Sequence, residues 1–184
     1  MKKPDNYGQN DNSNYITVGG HKCIVKMAEE AVSKSGNEML VIHFDTTTED
    51  THPNYYLNKY NADTREGKKW QGNMYVVPSN KFGKSLLEGL CTAVERSNPG
   101  FQCWDENGNL KTAELKGKRV GIVFRAEEYI KNDGTVGSSN KPFRFCTYDQ
   151  AYDQELPNKK TVSPSAGFMS VEADDFANEG LPFN

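Results

Sequence analysis

The sequence lacks most of the features that mark membrane proteins and metal- or disulfide-stabilised proteins. Its four cysteines, Cys23, Cys91, Cys103 and Cys146, are scattered without a C-x-x-C pair, which argues against a zinc, redox or disulfide framework. Cys23, Cys91 and Cys146 lie in apolar stretches, so we expect them to be small core residues. No apolar run approaches the roughly 18 residues of a membrane span, and the polar start has no apolar signal region. We expect a soluble, cytoplasmic protein with no membrane partner.

Catalytic signatures are also scarce. His21 and His52 have no carboxylate or cysteine at ligand spacing, and His43 and Asp45 are simply two residues apart on a predicted strand. The sequence has no G-x-S-x-G elbow. We therefore expect a protein that is not an enzyme and that has no cofactor and no metal site.

One segment partly matches a phosphate-binding loop. Phe82-Gly83-Lys84-Ser85 follows a predicted strand and opens a predicted helix, as that motif requires. Pro78 stands where the first glycine belongs and has no N–H to offer a phosphate. The apolar run that ends in an acid, residues 39–45, precedes the loop instead of following it. Nucleotide hydrolysis is thus the weakest of the functions considered.

A basic excess is missing too, since the net charge is -3. The acids are unevenly placed, however. Residues 171–184 carry Glu172, Asp174, Asp175 and Glu179 with no Lys or Arg, so without them 25 acids become 21 against 22 bases. A nearly neutral body binds nucleic acid only if its Lys and Arg residues cluster locally.

The hydrophobic pattern predicts a mostly β domain. Alternating apolar residues indicate strands at 21–27, 39–45, 72–77, 115–125 and 142–148. In the first strand Cys23, Val25 and Met27 share one face. Apolar residues every four positions predict one helix over roughly Lys81–Arg96, with Asn80 as its N-cap.

The connections complete this pattern. A turn at Ser33–Asn37 joins the first two strands in a hairpin, and a Gly-, Ser- and Asn-rich loop at 131–141 is expected between the last two. Three strands, one helix and two strands, with long loops after the first and fourth strands, is the element order of the OB-fold. That fold is a five-stranded barrel that often binds oligonucleotides.

The chain length of 184 residues suits one domain with appendages. We expect a disordered arm at residues 1–14, an OB-fold-like domain at 15–152, a linker at 153–170 and an acidic tail at 171–184. Self-association into a homo-oligomer is left open.

Binding of single strands requires cations along the phosphates and flat side chains on which bases stack, each stack contributing about 1–3 kcal/mol. In an OB-fold these cationic and aromatic side chains come from strands two and three and from the loops that join strands one to two and four to five. On this rule the predicted DNA-binding residues are Lys22, Lys26, Lys34, Tyr55, Tyr56, Tyr60, Lys68, Lys69, Trp70, Tyr75, Arg119, Arg125, Tyr129, Lys141 and Arg144. Trp70, preceded by two lysines, is the foremost stacking candidate. The alternative for each aromatic is to plug a barrel end or a loop, and most surface lysines merely solvate.

The last residues form an acidic and apolar peptide. Such a peptide can compete for a basic groove of its own molecule, dock on other proteins, or act only as a solubilising end. The predicted partner-binding residues are Asp174, Asp175, Phe176, Leu181, Pro182 and Phe183.

This tail resembles those of bacterial and phage single-stranded-DNA-binding proteins, whose Asp-rich, Pro-Phe tips recruit replication and repair enzymes. Asp174, Asp175, Pro182 and Phe183 match that tip. The acids are separated from the Pro-Phe pair and Asn184 follows the phenylalanine, so a partner that reads a terminal phenylalanine carboxylate is not matched.

The body resembles phage- and prophage-encoded OB-type proteins. The resemblance lies in the hairpin of residues 19–45 and in the run of residues 115–129 with its Gly117-Lys118-Arg119-Val120 core. It implies binding and protection of single-stranded DNA, without sequence preference, in phage DNA replication or recombination, with replication or recombination proteins recruited by the tail.

Two alternatives stay open. One is a protein-interaction adaptor of a phage replication complex that never touches DNA, and the other is an RNA-binding OB protein. A DNA binder needs a continuous basic groove, whereas an adaptor does not.

Overall fold

The computed structural model describes residues 15–162. It contains the strands β1 (Gly19–Val32), β2 (Glu38–Thr46), β3 (Asn73–Val76), β4 (Arg119–Ile130) and β5 (Val136–Cys146) and the helices α1 (Tyr55–Ala62) and α2 (Lys81–Ser97). Short 3-10 helices lie at Thr112–Leu115 and Ala151–Asp153. The predicted arm and acidic tail fall outside the described residues.

The strands form one antiparallel sheet in the order β3-β2-β1-β4-β5. The prediction of a mostly β protein with a helix between the third and fourth strands is confirmed. Within residues 15–162 no strand pairing joins β3 to β5, so the predicted closure into a barrel is not seen. No helix in this part of the chain is long and apolar enough to cross a membrane.

A bulge bends the long strand β1. The pairing with β2 shifts between Val25, opposite Phe44, and Met27, opposite His43, so that Lys26 is an extra residue. Because a one-residue shift turns later side chains to the other face, Met27 is 38% exposed whereas Cys23 and Val25 are buried. The expectation that all three share the buried face was wrong at Met27.

The connection between β4 and β5 also differs from the prediction. Residues 131–141 were expected to form a loop, but β5 begins at Val136 and leaves a tight turn in which Lys131 N–H donates to the Thr135 carbonyl at 2.8 Å. The polar residues after the turn pair with β4, Ser139 lying opposite Glu127. The connection after β1 is equally short, and its predicted turn is confirmed by the bond from Gly36 N–H to the Ser33 carbonyl at 2.9 Å. The long loops expected after the first and fourth strands are absent from this part of the fold.

Helix α1 was not predicted. Asp45, at the end of β2, accepts hydrogen bonds from the backbone N–H groups of Tyr56 at 2.8 Å and Leu57 at 3.1 Å. These are N–H groups of the first helical turn, which have no partner inside a helix. Asp45 therefore caps α1 from a neighbouring strand, and burial raises its pKa even though these bonds oppose the shift.

The core lies between the sheet and α2. Ile42, Phe44, Leu90, Val94 and Phe124 are almost completely buried in it. The predicted burial of three of the cysteines is confirmed, and the fourth is buried as well.

Helix α2 begins as predicted, with Asn80 as its N-cap. The Asn80 Oδ1 atom accepts a hydrogen bond from Gly83 N–H at 2.8 Å. We expect Asn80→Ala to lower the free energy of unfolding by about 1 kcal/mol, because one N–H group of the first turn loses its partner. Urea denaturation measures the change, with Asn107→Ala in an exposed turn as the control. Equal stability of the two variants would contradict the capping role.

Candidate nucleic-acid interface

A groove with a volume of about 1230 Å³ runs across the molecule. The strand β3, the helix α1 and the start of α2 line it together with the β4–β5 hairpin. β3 and β5 are the two edge strands of the sheet. The groove therefore lies between the two edges of the sheet.

The charge of the groove differs from that of the chain. One acid, Glu127, lines it, against six cations, namely Lys34, Lys59, Lys69, Arg125, Lys141 and Lys160. Six cations less one acid leave +5 in the groove, whereas the chain as a whole carries -3. Such local clustering concentrates positive potential along one surface and attracts polyanions.

Aromatic side chains are the second feature of the groove. Eight of them line it: Tyr15, Tyr55, Tyr56, Trp70, Tyr75, Phe82, Tyr129 and Phe143. Tyr55 and Tyr56 are buried in the core, whereas the other six are half-buried or exposed. These six present flat surfaces beside the cations, which is the combination that single-stranded nucleic acid requires.

Hydrogen bonds fix the indole ring of Trp70 in the groove. Its indole Nε1–H points at the carbonyl oxygens of Phe44, at 3.1 Å, and Gly72, at 3.2 Å. A Cβ atom at Gly72 would lie 2.2 Å from the Phe44 carbonyl oxygen and 2.9 Å from Trp70 Nε1, so only glycine fits there. The ring is held by its polar edge and remains half-exposed.

Two further predicted residues extend this aromatic surface without lining the groove. The ring of Tyr60 lies 6.0 Å from that of Trp70, and Lys68 Nζ lies 4.4 Å from the centre of the Tyr60 ring. A cation at this distance from an aromatic face is attracted by it. Lys68 thus adds positive charge next to Trp70.

On the hairpin side a bulge determines which side chain faces the groove. The pairing of β4 with β5 passes from Val123 opposite Arg144 to Phe124 opposite Pro142, leaving Phe143 as the extra residue. Bulges re-aim side chains in this way. The Arg125 guanidinium lies 3.9 Å from the centre of the Phe143 ring and donates to Glu127 Oε1 at 2.7 Å. Arg125 and Phe143 therefore form a stacked pair whose charge is shared with Glu127.

Tyr129 belongs to the same hairpin and packs against a glycine. A Cβ atom at Gly137, directly opposite in β5, would lie 2.6 Å from the Tyr129 ring. The absence of a side chain at Gly137 leaves room for the ring to lie across the neighbouring strand. Tyr129 is 45% exposed in this position.

The groove brings together nine of the fifteen residues predicted from the sequence to bind DNA. These are Lys34, Tyr55, Tyr56, Lys69, Trp70, Tyr75, Arg125, Tyr129 and Lys141. Lys22 and Arg119 do not line it; both lie 5.2 Å from the centre of the Tyr148 ring. Arg144 donates to the Glu155 carbonyl at 3.2 Å, and Lys26 is exposed on β1. The six predicted tail residues lie outside the described residues.

Five cationic or aromatic groove residues were not among the predicted DNA-binding residues: Tyr15, Lys59, Phe82, Phe143 and Lys160. Lys59 lies among the tyrosines of the segment that forms α1, and this local pattern could have identified it as a candidate DNA-binding residue. Phe143 had none, because the bulge that turns it depends on its partner strand. Tyr15 and Lys160 lie outside the sheet strands and helices and reach the groove through tertiary contacts.

A second polar cluster lies outside the groove. Nitrogen atoms of His21 and His52 and a carboxylate oxygen of Asp50 lie within 4.8 Å of one another, a grouping that sequence spacing did not reveal. These are metal-ligand types, but hydrogen bonds already use them. His21 Nδ1 lies 2.9 Å from Asp50 Oδ2, and its Nε2 lies 2.9 Å from the Thr17 carbonyl oxygen.

Asp50 accepts further hydrogen bonds from backbone and side-chain donors. Lys22 N–H donates to Oδ1 at 2.8 Å, His52 N–H donates to Oδ2 at 2.9 Å, and the Tyr152 hydroxyl lies 3.1 Å from Oδ1. Burial opposes ionisation, but the bonds from His21 and these amides lower the pKa of Asp50 below its ordinary value. The cluster ties β1 to the loop after β2 and to the end of the domain.

No protein-family model matches the chain and no curated protein matches it, so its function is inferred from the groove itself.

Proposed function

We propose that this protein binds single-stranded DNA along the groove, with little sequence preference, and protects it during replication or recombination. One observation carries the proposal: a groove charge of +5 and six half-buried or exposed aromatic side chains occur together in a chain whose net charge is -3. Cations neutralise phosphates and release their counterions, while the rings stack on unpaired bases.

The groove chemistry favours a single strand over a duplex. Bases in a duplex are stacked on one another and present only their edges, whereas unpaired bases expose their faces to aromatic side chains. Trp70, Tyr75, Tyr129 and Phe143 offer such surfaces, and each base has a face for them. Stacking of this kind tolerates any sequence, which supports protection rather than site recognition.

The strand order supports an OB-fold as part of the proposal. The strand β1 pairs with both β2 and β4, and α2 connects β3 to β4. The groove lies where β3 and β5 would meet in the closed form of that fold. We include in the proposal that residues 171–184 recruit replication or recombination proteins, as their resemblance implies.

The charge of the groove also argues against an adaptor that never touches DNA. An adaptor of protein partners needs no cationic groove, whereas six cations beside a single acid suit a phosphate backbone. Within residues 15–162, the groove thus favours a DNA partner over the adaptor.

The direct test is a fluorescence anisotropy titration of the full chain with labelled oligo-dT at several salt concentrations. We expect the logarithm of the binding constant to fall with the logarithm of salt by about 0.7 for each phosphate neutralised. Lys69→Gln should reduce this slope by about 0.7, because one groove cation is removed. The matched control is Lys116→Gln, exposed and outside the groove, which should leave the slope unchanged.

Two competitors sharpen the titration. Duplex DNA of the same length should compete weakly, since its bases are already stacked. A matched RNA oligomer that displaces oligo-dT completely at equal concentration would make RNA the preferred ligand. The absence of any oligo-dT binding at low salt would overturn the proposed function.

A further inference from the structure

Asn73 lies where the groove meets the core. It is the first residue of β3 and lies directly opposite His43 in β2. Its side chain bonds one residue of the groove and one of the core. The Nδ2–H donates to the Trp70 carbonyl at 2.9 Å, and Oδ1 accepts from His43 Nδ1 at 2.6 Å. The amide thus connects a groove aromatic to a buried imidazole.

The chemistry of the partners fixes the direction of these bonds. The Trp70 carbonyl only accepts hydrogen bonds, so the amide nitrogen of Asn73 has to face it. Oδ1 then faces His43, whose Nδ1 has to carry a hydrogen in order to donate. The orientation of the Asn73 side chain is therefore set from both ends.

The network continues below the groove and along β3. His43 is 4% exposed, and its Nε2 lies 3.3 Å from Glu29 Oε1 on β1. Tyr75, the next groove aromatic, lies two residues beyond Asn73 on the same face of β3. Burial raises the pKa of Tyr75, and the nearby Asn73 amide partly opposes that shift.

Trp70 is consequently held to β2 at two points. Its indole N–H reaches the Phe44 carbonyl, and its own carbonyl is tied through Asn73 to His43, the residue before Phe44. Two anchors on adjacent residues of a buried strand restrict both the backbone and the ring. A ring held in one orientation loses less conformational entropy when a base stacks on it.

We propose that Asn73 is the positioning residue of the groove, which holds Trp70 ready for stacking without itself stacking on a base. This inference rests on the proposed function and deepens it. It assigns the affinity for a single strand partly to a side chain that supports the aromatic surface.

The test uses the full chain carrying Trp104→Phe, which leaves Trp70 as the single tryptophan fluorophore. In that background Asn73→Ala should weaken oligo-dT binding about tenfold, a loss of the size expected for about one hydrogen bond. It should also shift the Trp70 emission in the free protein and reduce its quenching by oligo-dT. Asn58→Ala is the matched control, because Asn58 also donates to a backbone carbonyl, that of Pro53, but lies outside the groove.

A double variant separates positioning from a general loss of structure. If Asn73 acts through Trp70, Asn73→Ala should weaken binding far less in a Trp70→Ala protein than in the parent. Asn73→Thr, whose β-branched side chain suits a strand but is too short to bond both the Trp70 carbonyl and His43, should weaken binding by a similar factor even if Asn73→Ala folds poorly.

The outcomes distinguish the two proposals. Failure of the Trp104→Phe parent to bind oligo-dT would overturn the proposed function. Binding by that parent, together with unchanged affinity and emission in Asn73→Ala, would overturn the positioning role alone. Fully additive losses in the double variant, with no effect of Asn73→Thr, would overturn it as well.

Discussion

Replacing Trp70 with alanine should weaken binding of oligo-dT by about 5- to 150-fold, which corresponds to the ~1–3 kcal/mol that one base–aromatic stack contributes. The effect should be large because Trp70 combines a half-exposed ring with a fixed position among six groove cations. Anisotropy titration at a single low salt concentration measures it.

Two variants make this prediction specific. Trp70→Phe keeps a ring but loses the N–H that reaches the carbonyls of Phe44 and Gly72, so its affinity should fall between those of the parent and Trp70→Ala. Trp104→Ala is the control, since Trp104 is 42% exposed but does not line the groove. If Trp70→Ala and Trp104→Ala bound oligo-dT equally well, Trp70 would have no part in binding.

Replacing Asp50 with asparagine should have the largest effect on stability. The carboxylate is buried beside His21 and accepts bonds from the backbone N–H groups of Lys22 and His52. Each hydrogen bond to a charged group contributes about 1.5–3 kcal/mol, and asparagine leaves at least one of these N–H donors facing an NH2 group instead of an acceptor. Guanidinium denaturation of Asp50→Asn should reveal a loss of this order, whereas Asp149→Asn on the exposed surface should change little.

The same variant predicts a pH dependence with a definite sign. The folded-state pKa of Asp50 lies below its ordinary value of 3.8, so ionised Asp50 stabilises the fold at pH values above 3.8. This stabilisation is lost as the pH falls from 3.8 through the folded-state pKa. The stability difference between the parent and Asp50→Asn should therefore narrow below about pH 4. Parallel stability curves down to pH 2 would show that Asp50 has no such shift.

Local sequence patterns predicted the elements whose cause is local. Helix α2 repeats its apolar residues every four positions and has Asn80 as a cap, and both features are visible in one short stretch. The start of β5 was missed because the polar residues after Val136 contain no strand signal of their own. Their pairing with β4 across a tight turn makes them a strand, and that pairing is a tertiary effect.

The candidate site shows the same division. Trp70 and Lys69 were found because an aromatic residue beside lysines is a local pattern, and both line the groove. Lys22 and Arg119 were also predicted to bind DNA, from their positions on predicted strands. Their side chains lie over the Tyr148 ring and not in the groove. Which strand faces turn toward the groove depends on bulges and on sheet curvature, and neither is encoded by alternation alone.

The bulge in β1 has a mechanical consequence for the groove. Among the described strands, β1 alone joins the β2–β3 half of the sheet to the β4–β5 half, and its pairing changes from β4 to β2 near Val25. The extra residue Lys26 lies at that change, so the strand bends where the two halves diverge. The distance between the two sides of the groove, β3 on one and the β4–β5 hairpin on the other, therefore depends on the curvature of one strand, and a ligand that contacted both sides would work against that bend.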